Sequence, residues 1–201
     1  MGGTMHDPYS LRRASEILRR GGVVVVPTDT CFGLAADALR QEVVARVLQI
    51  KGRNSGKPPA VFVPDLGAVP RVASLSPTAR VRAEALLPGP WTLLLPPCSG
   101  TPPWLVSPEG LVGIRWTQFQ PVADILAASR LLLTATSANA SGLAPPYTPA
   151  ALAQVLRLET VDMVIQGPCG GLPPSTVIDL TTEPPRVVRQ ASRGYRPGGH
   201  E

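Results

Sequence analysis

Apolar and polar positions along this chain predict helices and strands in turn. Residues 9–22, YSLRRASEILRRGG, repeat apolar side chains every three or four positions and end in a glycine pair. This spacing is typical of an amphipathic surface helix with a glycine stop. The next segment, VVVVP at 23–27, is a β-branched run closed by proline. It predicts a strand that is buried on both faces inside an α/β sheet.

The rest of the chain continues the alternation. A polar loop, PTDTCFGLAAD, follows the valine run, and QEVVARVLQI at 41–50 has helical spacing, with Gly52 as its stop. Further helical patterns lie at 76–87 and 148–158. Short strand candidates are 60–63, 92–96, 111–116, 131–136, 162–166 and 175–180. This order predicts an α/β fold with a twisted, mixed sheet.

Composition sets the limits of the fold. The 201 residues are 44% hydrophobic and 16% charged, enough for one sizeable core. We expect a single domain over 1–201, with its core at about 8–190 and short flexible ends. Neither a membrane-spanning apolar run nor a secretory leader is recognisable, so we expect a cytoplasmic protein without membrane contact.

Cysteine and histidine usage excludes several chemistries. Cys31, Cys98 and Cys169 lie far apart without paired spacing, so the sequence indicates neither a zinc site nor a disulfide framework, and we expect small apolar fillers. The two histidines, His6 and His200, lie near the chain ends. Catalysis through a Ser/His/Asp or Cys/His pair is therefore not expected. Lysine, arginine, hydroxyl and amide groups remain.

Positive charge points to an anionic partner. The net charge is +5 with a pI near 9.6, which suits a nucleotide, a nucleic acid or a small acid. Both lysines of the chain, Lys51 and Lys57, fall in the segment KGRNSGKPP. Lysine offers a compact charge with three donors, which suits a phosphate chain. As structural alternatives, Lys51 would interact with carbonyls at a helix end and Lys57 would be a solvated loop charge.

Polar groups recur where predicted strands end. PTDT follows the valine run, SANAS follows LLLTAT, and Arg115 lies within LVGIRW. Ligands of open α/β sheets bind outside such strand ends, so these groups are expected to line one site together with the lysine segment. Taken alone, SANAS is also an ordinary turn sequence.

The ordered series PTDTCFGLAADA, KGRNSGKPP, LLPGPWTLLL, VGIRW, TSANASG and STVIDL resembles the YrdC and Sua5 family, the threonylcarbamoyl-AMP synthases. The resemblance spans about residues 20 to 190, and K-x-R followed later by S-x-N is its most specific part. It implies the YrdC-like α/β twist, in which an open, largely antiparallel sheet with flanking helices surrounds a central cavity. The chain resembles the short, single-domain form.

The activity that the resemblance implies is an ATP-dependent condensation. L-threonine, bicarbonate or CO2, and ATP give L-threonylcarbamoyladenylate and pyrophosphate, with Mg2+ bound through ATP and not by a protein metal site. A separate threonylcarbamoyl transferase then modifies adenosine 37 of tRNA, and direct tRNA contact is a further expectation. Because carbamate oxygen attacks the α-phosphorus of ATP, catalysis needs placement and charge stabilisation and no protein nucleophile.

The resemblance also implies site residues. Lys51 and Arg53 are the expected catalytic groups. The expected ATP-binding residues are Lys51, Arg53, Lys57, Asn139 and Arg189. The expected threonine-binding residues are Thr30, Arg115, Ser137 and Ser175. Arg115 matches the arginine for the amino-acid carboxylate, and a planar guanidinium suits that role; its structural alternative is a surface arginine at a strand end. Thr28, Thr136 and Thr176 are close rivals for the hydroxyl positions.

Some residues depart from the family pattern. Phe62 stands where some relatives have a histidine, Cys31 replaces an aromatic or aliphatic residue, and RQASRG replaces the usual R-P-G around Arg189. Two other functions remain open at this point, a tRNA or double-stranded RNA binding module and a nucleotide-binding regulatory relative. At 4% aromatic residues, the chain lacks the stacking platforms of a single-strand RNA binder.

Overall fold

The valine run forms the second strand from one edge of a sheet that has nine strands in the described residues. The structure, a computed structural model, describes residues 8–52 and 57–191. Its strands are β1 Val24–Pro27, β2 Phe32–Ala35, β3 Ala60–Phe62, β4 Trp91–Leu95, β5 Val112–Arg115, β6 Leu133–Ser137, β7 Met163–Val164, β8 Thr176–Asp179 and β9 Arg186–Arg189. The α-helices are α1 Pro8–Arg19, α2 Gln41–Ile50, α3 Pro77–Leu86, α4 Gln120–Ser129 and α5 Pro149–Val155. Short 3-10 turns occupy Leu66–Arg71, Pro103–Leu105 and Leu158–Thr160.

The sheet is mixed and mostly antiparallel, as the resemblance implied. Its strand order is β7-β1-β2-β6-β3-β5-β4-β8-β9. Five of the eight neighbouring pairs in the described residues are antiparallel, and β1–β7, β3–β5 and β4–β8 are parallel. The fold class is confirmed.

Both faces of β1 are covered by helices. Val24 and Val26 pack in the apolar cluster that includes α1 and α4, whereas Val25 packs against α2 and α5. All four residues of β1 are buried, as the continuous valine run predicted. A third apolar cluster, formed by the second half of the sheet with α3 and the first 3-10 turn, completes the core.

Three elements were not predicted from the sequence. The segment interpreted as a polar loop contains β2, which pairs with β1 and β6. Helix α4 was missed, and so was β9, which pairs with β8. Arg189, whose position was not assigned to any predicted strand, is the final residue of β9. Within the described ranges, no helix combines the length and apolar character that a membrane crossing requires.

Candidate functional site

The C-terminal end of α2 is tied to the segment after β6. Helix α2 ends at Ile50, and Gly52 adopts φ +64°, a left-handed conformation that glycine permits. Lys51 is 1% exposed, and its Nζ donates hydrogen bonds to the carbonyls of Ser137 at 2.5 Å and of Asn139 at 2.9 Å. The carbonyl of Lys51 accepts from the Ser141 amide at 2.8 Å. Lys51 does bind carbonyl groups, but they belong to the SANAS segment and not to its own helix end.

The side-chain amide of Asn139 forms hydrogen bonds through its nitrogen but not through its oxygen. Its Nδ2 donates to the carbonyls of Ala140 at 3.0 Å and Leu143 at 2.6 Å. Its Oδ1 is buried without a hydrogen-bond partner. An unpaired buried acceptor costs about 1–3 kcal/mol, so a donor brought by a ligand would recover stability here.

Arg115 lies at the end of β5, and it also has an unsatisfied atom. It is 7% exposed, and its Nη2 donates to both carboxylate oxygens of Asp29, at 2.8 and 3.0 Å. Its guanidinium carbon lies 4.9 Å from the ring centroid of Phe62, the residue opposite Arg115 in the β3–β5 pair. Its Nε is buried and has no partner. Phe62 therefore supports the guanidinium through its aromatic face, although it cannot donate a hydrogen bond.

Asp29 belongs to the turn between β1 and β2, whose hydroxyls bond to one another. The Thr28 and Thr30 hydroxyl oxygens are 3.0 Å apart, and Thr28 Oγ1 also donates to the carbonyl of Cys31 at 2.7 Å. The amide of Gly170 donates to the carbonyl of Thr28 at 2.8 Å. All four residues 28–31 are buried. Sequence analysis had placed Thr30 in the site but had missed Asp29, whose signal was a carboxylate between two threonines directly after a buried strand.

Ser175 and Arg189 form a third group. Ser175 Oγ lies 2.8 Å from the hydroxyl of Thr92. Arg189 Nη2 donates to the carbonyl of Ser175 at 2.8 Å and to its hydroxyl at 3.1 Å. Partial desolvation of its guanidinium lowers the pKa of Arg189, and the positive charge of Arg115 lowers it further. Arg189 and Arg115 are therefore close enough to repel each other.

Cys31 follows Thr30 in this turn and is 5% exposed. Burial raises the pKa of its thiol, an effect that the hydrogen bond from Thr30 and the charges of Arg115 and Lys51 oppose. Its burial agrees with the small apolar filler that the sequence predicted.

Two further predicted phosphate ligands, Arg53 and Lys57, belong to the segment KGRNSGKPP. Lys57 is exposed. It lies close enough to Glu109 that its charge contributes to the lowered pKa of that carboxyl, after the larger effect of a hydrogen bond from Ser107. Arg53 lies outside the described residues.

A surface cavity of about 750 Å³ lies beside the SANAS segment, between the end of α2 and α5. Gly52 and Ala140, which neighbour Lys51 and Asn139, line it, but none of the predicted site residues that the structure describes does. In the described part of the chain, no group of three or more His, Cys, Asp or Glu side chains is placed to hold a metal ion.

Comparisons with known proteins identify relatives of this chain. The family model Sua5_yciO_yrdC, described as telomere recombination, matches residues 16–191. A threonylcarbamoyl-AMP synthase from Thiobacillus denitrificans is 35% identical over 167 residues, covering 82% of this chain and 88% of that protein. One from Xanthomonas euvesicatoria is 33% identical over 177 residues, covering 87% and 94%.

Solved structures show the same fold. Pyrococcus abyssi Sua5 in complex with L-threonine superposes with a TM-score of 0.85 at 29% identity, covering 92% of this chain and 55% of that longer chain. Escherichia coli YciO superposes with a TM-score of 0.82 at 27% identity, covering 93% and 91%.

Proposed function

The chain belongs to the Sua5/YciO/YrdC family, and from this premise we propose that it is an L-threonylcarbamoyladenylate synthase. It condenses L-threonine, bicarbonate or CO2, and ATP into threonylcarbamoyl-AMP and releases pyrophosphate. Several curated relatives of nearly the same length carry the name of this enzyme. Their names favour the enzyme over an RNA-binding module or a nucleotide-binding regulator.

One observation supports the substrate positions best. Among the described residues, the two buried side-chain atoms without a hydrogen-bond partner are Arg115 Nε and Asn139 Oδ1. One is a donor on a cation and the other a neutral acceptor. Folded proteins seldom leave such atoms unpaired, so each exception needs an explanation, and a bound ligand would supply one here. A carboxylate suits Arg115, and a hydroxyl or amino group of a nucleotide suits Asn139.

In the proposed reaction the ammonium group of threonine loses one proton to water, the resulting amine attacks CO2, and loss of a second proton to water leaves a carbamate. A carbamate oxygen then attacks the α-phosphorus of ATP, the bond to the β-phosphate oxygen breaks, and pyrophosphate leaves. Arg115 binds the threonine carboxylate through Nε. The hydroxyls of Thr30, Ser137 and Ser175 surround the rest of the amino acid.

The nucleotide lies against the cationic side of the site. Asn139 accepts a hydrogen bond from it, and Lys51, Arg53, Lys57 and Arg189 offset the charge of the triphosphate, which also binds Mg2+. Lys51 places its charge at the turn of residues 137–139. Charge placed in advance, where pyrophosphate departs, stabilises the transition state without reorganisation.

The product has a defined use in this proposal. A separate threonylcarbamoyl transferase carries the group to adenosine 37 of tRNA in the cytoplasm, and tRNA contacts the basic surface of the synthase. The net charge of +5 supports contact with such a polyanion.

A product assay tests the proposed function. Purified protein is incubated with ATP, Mg2+, 13C-bicarbonate and one amino acid at a time, and adenylates are measured by mass spectrometry alongside pyrophosphate. We expect a labelled threonylcarbamoyladenylate in equal amount to pyrophosphate, with much less product from serine or valine. Binding of ATP without pyrophosphate release would instead identify a regulatory relative.

A further inference from the structure

Asp29 is a buried carboxylate to which the proposed reaction assigns no task. The residue as a whole is 7% exposed, and its side chain forms an ion pair with Arg115. The exposed fraction of the side chain is 9% for Arg115 and 10% for Asp29. Burying two charges is expensive, and such a pair adds little net stability compared with apolar residues of the same size. Its position beside the proposed threonine site therefore calls for another reason.

The ion pair with Asp29 engages one nitrogen of the guanidinium and leaves another unpaired. Both oxygens of Asp29 accept from the same nitrogen, Nη2, at 2.8 and 3.0 Å. Nε remains buried and unpaired. A carboxylate bound in the usual two-pronged manner would have occupied two nitrogens of Arg115. Asp29 instead occupies one, so a donor stays available for a second carboxylate.

The backbone of Asp29 is in close contact with the loop that contains Gly170. A Cβ added at Gly170 would lie 2.3 Å from the Asp29 carbonyl oxygen, so only glycine fits there. The amide of Leu172 donates to the same carbonyl at 3.3 Å. Because Phe62 also supports the guanidinium face, Arg115 is held from two directions.

We propose that Asp29 is a positioning residue for Arg115: it holds Nη2 so that Nε faces the carboxylate of the amino-acid substrate. This inference rests on the proposed function, which supplies that substrate. Asp29 also neutralises much of the charge of Arg115 within the site.

Steady-state kinetics of Asp29→Asn test the assignment. Asparagine keeps the size of the side chain but loses its charge, so the guanidinium is no longer fixed. We expect the KM for threonine to rise at least about tenfold, since small displacements of a binding group have effects of this order. The KM for ATP and kcat at saturating threonine should stay within about twofold. A merely structural role would lower kcat and stability without separating the two KM values.

Asp179→Asn is the matched control. Asp179 is likewise a buried carboxylate, 3% exposed, with an arginine partner, Arg186 at 3.4 Å, but it lies on β8 away from Arg115's partners. The KM of the Asp179→Asn variant for threonine should match that of the wild type. Asp29→Glu keeps the charge and should raise the threonine KM less than Asp29→Asn.

A double-mutant comparison shows whether Asp29 acts through Arg115. Threonine binding is measured by calorimetry in Arg115→Ala with and without Asp29→Asn, and in Arg115→Lys as a second background that keeps a cation beside Asp29. In both backgrounds Asp29→Asn should change threonine affinity less than about twofold, because neither alanine nor lysine has the Nη2 that Asp29 holds and the Nε that it orients.

Three results would overturn the inference. The first is an active wild-type enzyme together with an Asp29→Asn variant that has the same KM for threonine. The second is a loss of threonine affinity on Asp29→Asn that is equal in the presence and in the absence of Arg115. The third is a wild type that forms no threonylcarbamoyladenylate, which refutes the proposed function as well and so differs from the other two.

Discussion

Replacement of Lys51 by methionine should reduce both stability and turnover. Lys51 Nζ donates to two carbonyls that lie 86 and 88 residues away along the chain, and the residue is 1% exposed. Methionine keeps the apolar stem but leaves both carbonyls without this donor. Hydrogen bonds of charged groups contribute about 1.5–3 kcal/mol each net of desolvation, so we expect a loss of about 3–6 kcal/mol.

Urea unfolding, thermal unfolding and pyrophosphate release measure these effects. A loss of about 3–6 kcal/mol lowers the Tm of a chain of this size by about 6–24 °C. Turnover should fall at least about 100-fold at a temperature where the variant is folded, because the charge at the turn of residues 137–139 is lost. Lys57→Met is the control for stability. Because Lys57 is exposed, the unfolding free energy of this variant should differ from that of the wild type by less than about 0.5 kcal/mol. Wild-type stability together with wild-type turnover in Lys51→Met would refute the reasoning.

The remaining predictions concern other side chains. Asn139→Ala should raise the KM for ATP about tenfold and leave threonine binding unchanged, because the acceptor Oδ1 is lost; equal changes for both substrates would contradict this. Iodoacetamide at pH 8 should label Cys98, whose pKa is lowered chiefly by a hydrogen bond with Thr101, well before Cys169, whose pKa burial raises to about 11; peptide mass spectrometry would reveal the opposite order. Burial raises the pKa of Asp162, but hydrogen bonds from Arg46 and a backbone amide outweigh it and lower the pKa below the ordinary 3.8. Asp162→Asn should therefore cost about 0.5–1 kcal/mol of unfolding free energy at pH 7, and the difference from the wild type should vanish as the pH falls through the folded pKa; a loss that persists in acid would contradict the ion pair.

Local sequence patterns were sufficient for elements whose signal is contained in the element itself. Helix α2 was predicted with its observed bounds, 41–50, because apolar spacing and Gly52 both mark its end. The valine run predicted β1 to within one residue. In contrast, β2 has only four residues, FGLA, between polar neighbours, and its strand conformation depends on pairing with β1 and β6.

The edge strand β9 was missed for a related reason. Its four residues, RVVR, are all exposed, so no burial pattern distinguishes them from a loop, and pairing with β8 determines the strand. Arg189 consequently donates to Ser175 from a strand and not from a loop.

The sequence selected candidate site residues by their type, but it did not identify the residues that they contact. Arg115 and Asn139 were selected from the resemblance, and the structure leaves a buried atom of each unpaired. The partners of Arg115 and Lys51 could not be inferred, since Asp29 lies 86 residues from Arg115 and the Lys51 bonds are equally long-range. Such contacts arise only when strands distant in sequence become neighbours in the sheet.

A structure of the protein with L-threonine and a non-hydrolysable ATP analogue tests the central claim most directly. The account predicts a threonine carboxylate oxygen within about 2.7–3.2 Å of Arg115 Nε and a nucleotide donor at a similar distance from Asn139 Oδ1. Both ligands should occupy one chamber with the α-phosphorus facing the amino group. A threonine bound away from Arg115, or a nucleotide that leaves Asn139 Oδ1 unpaired, would contradict it.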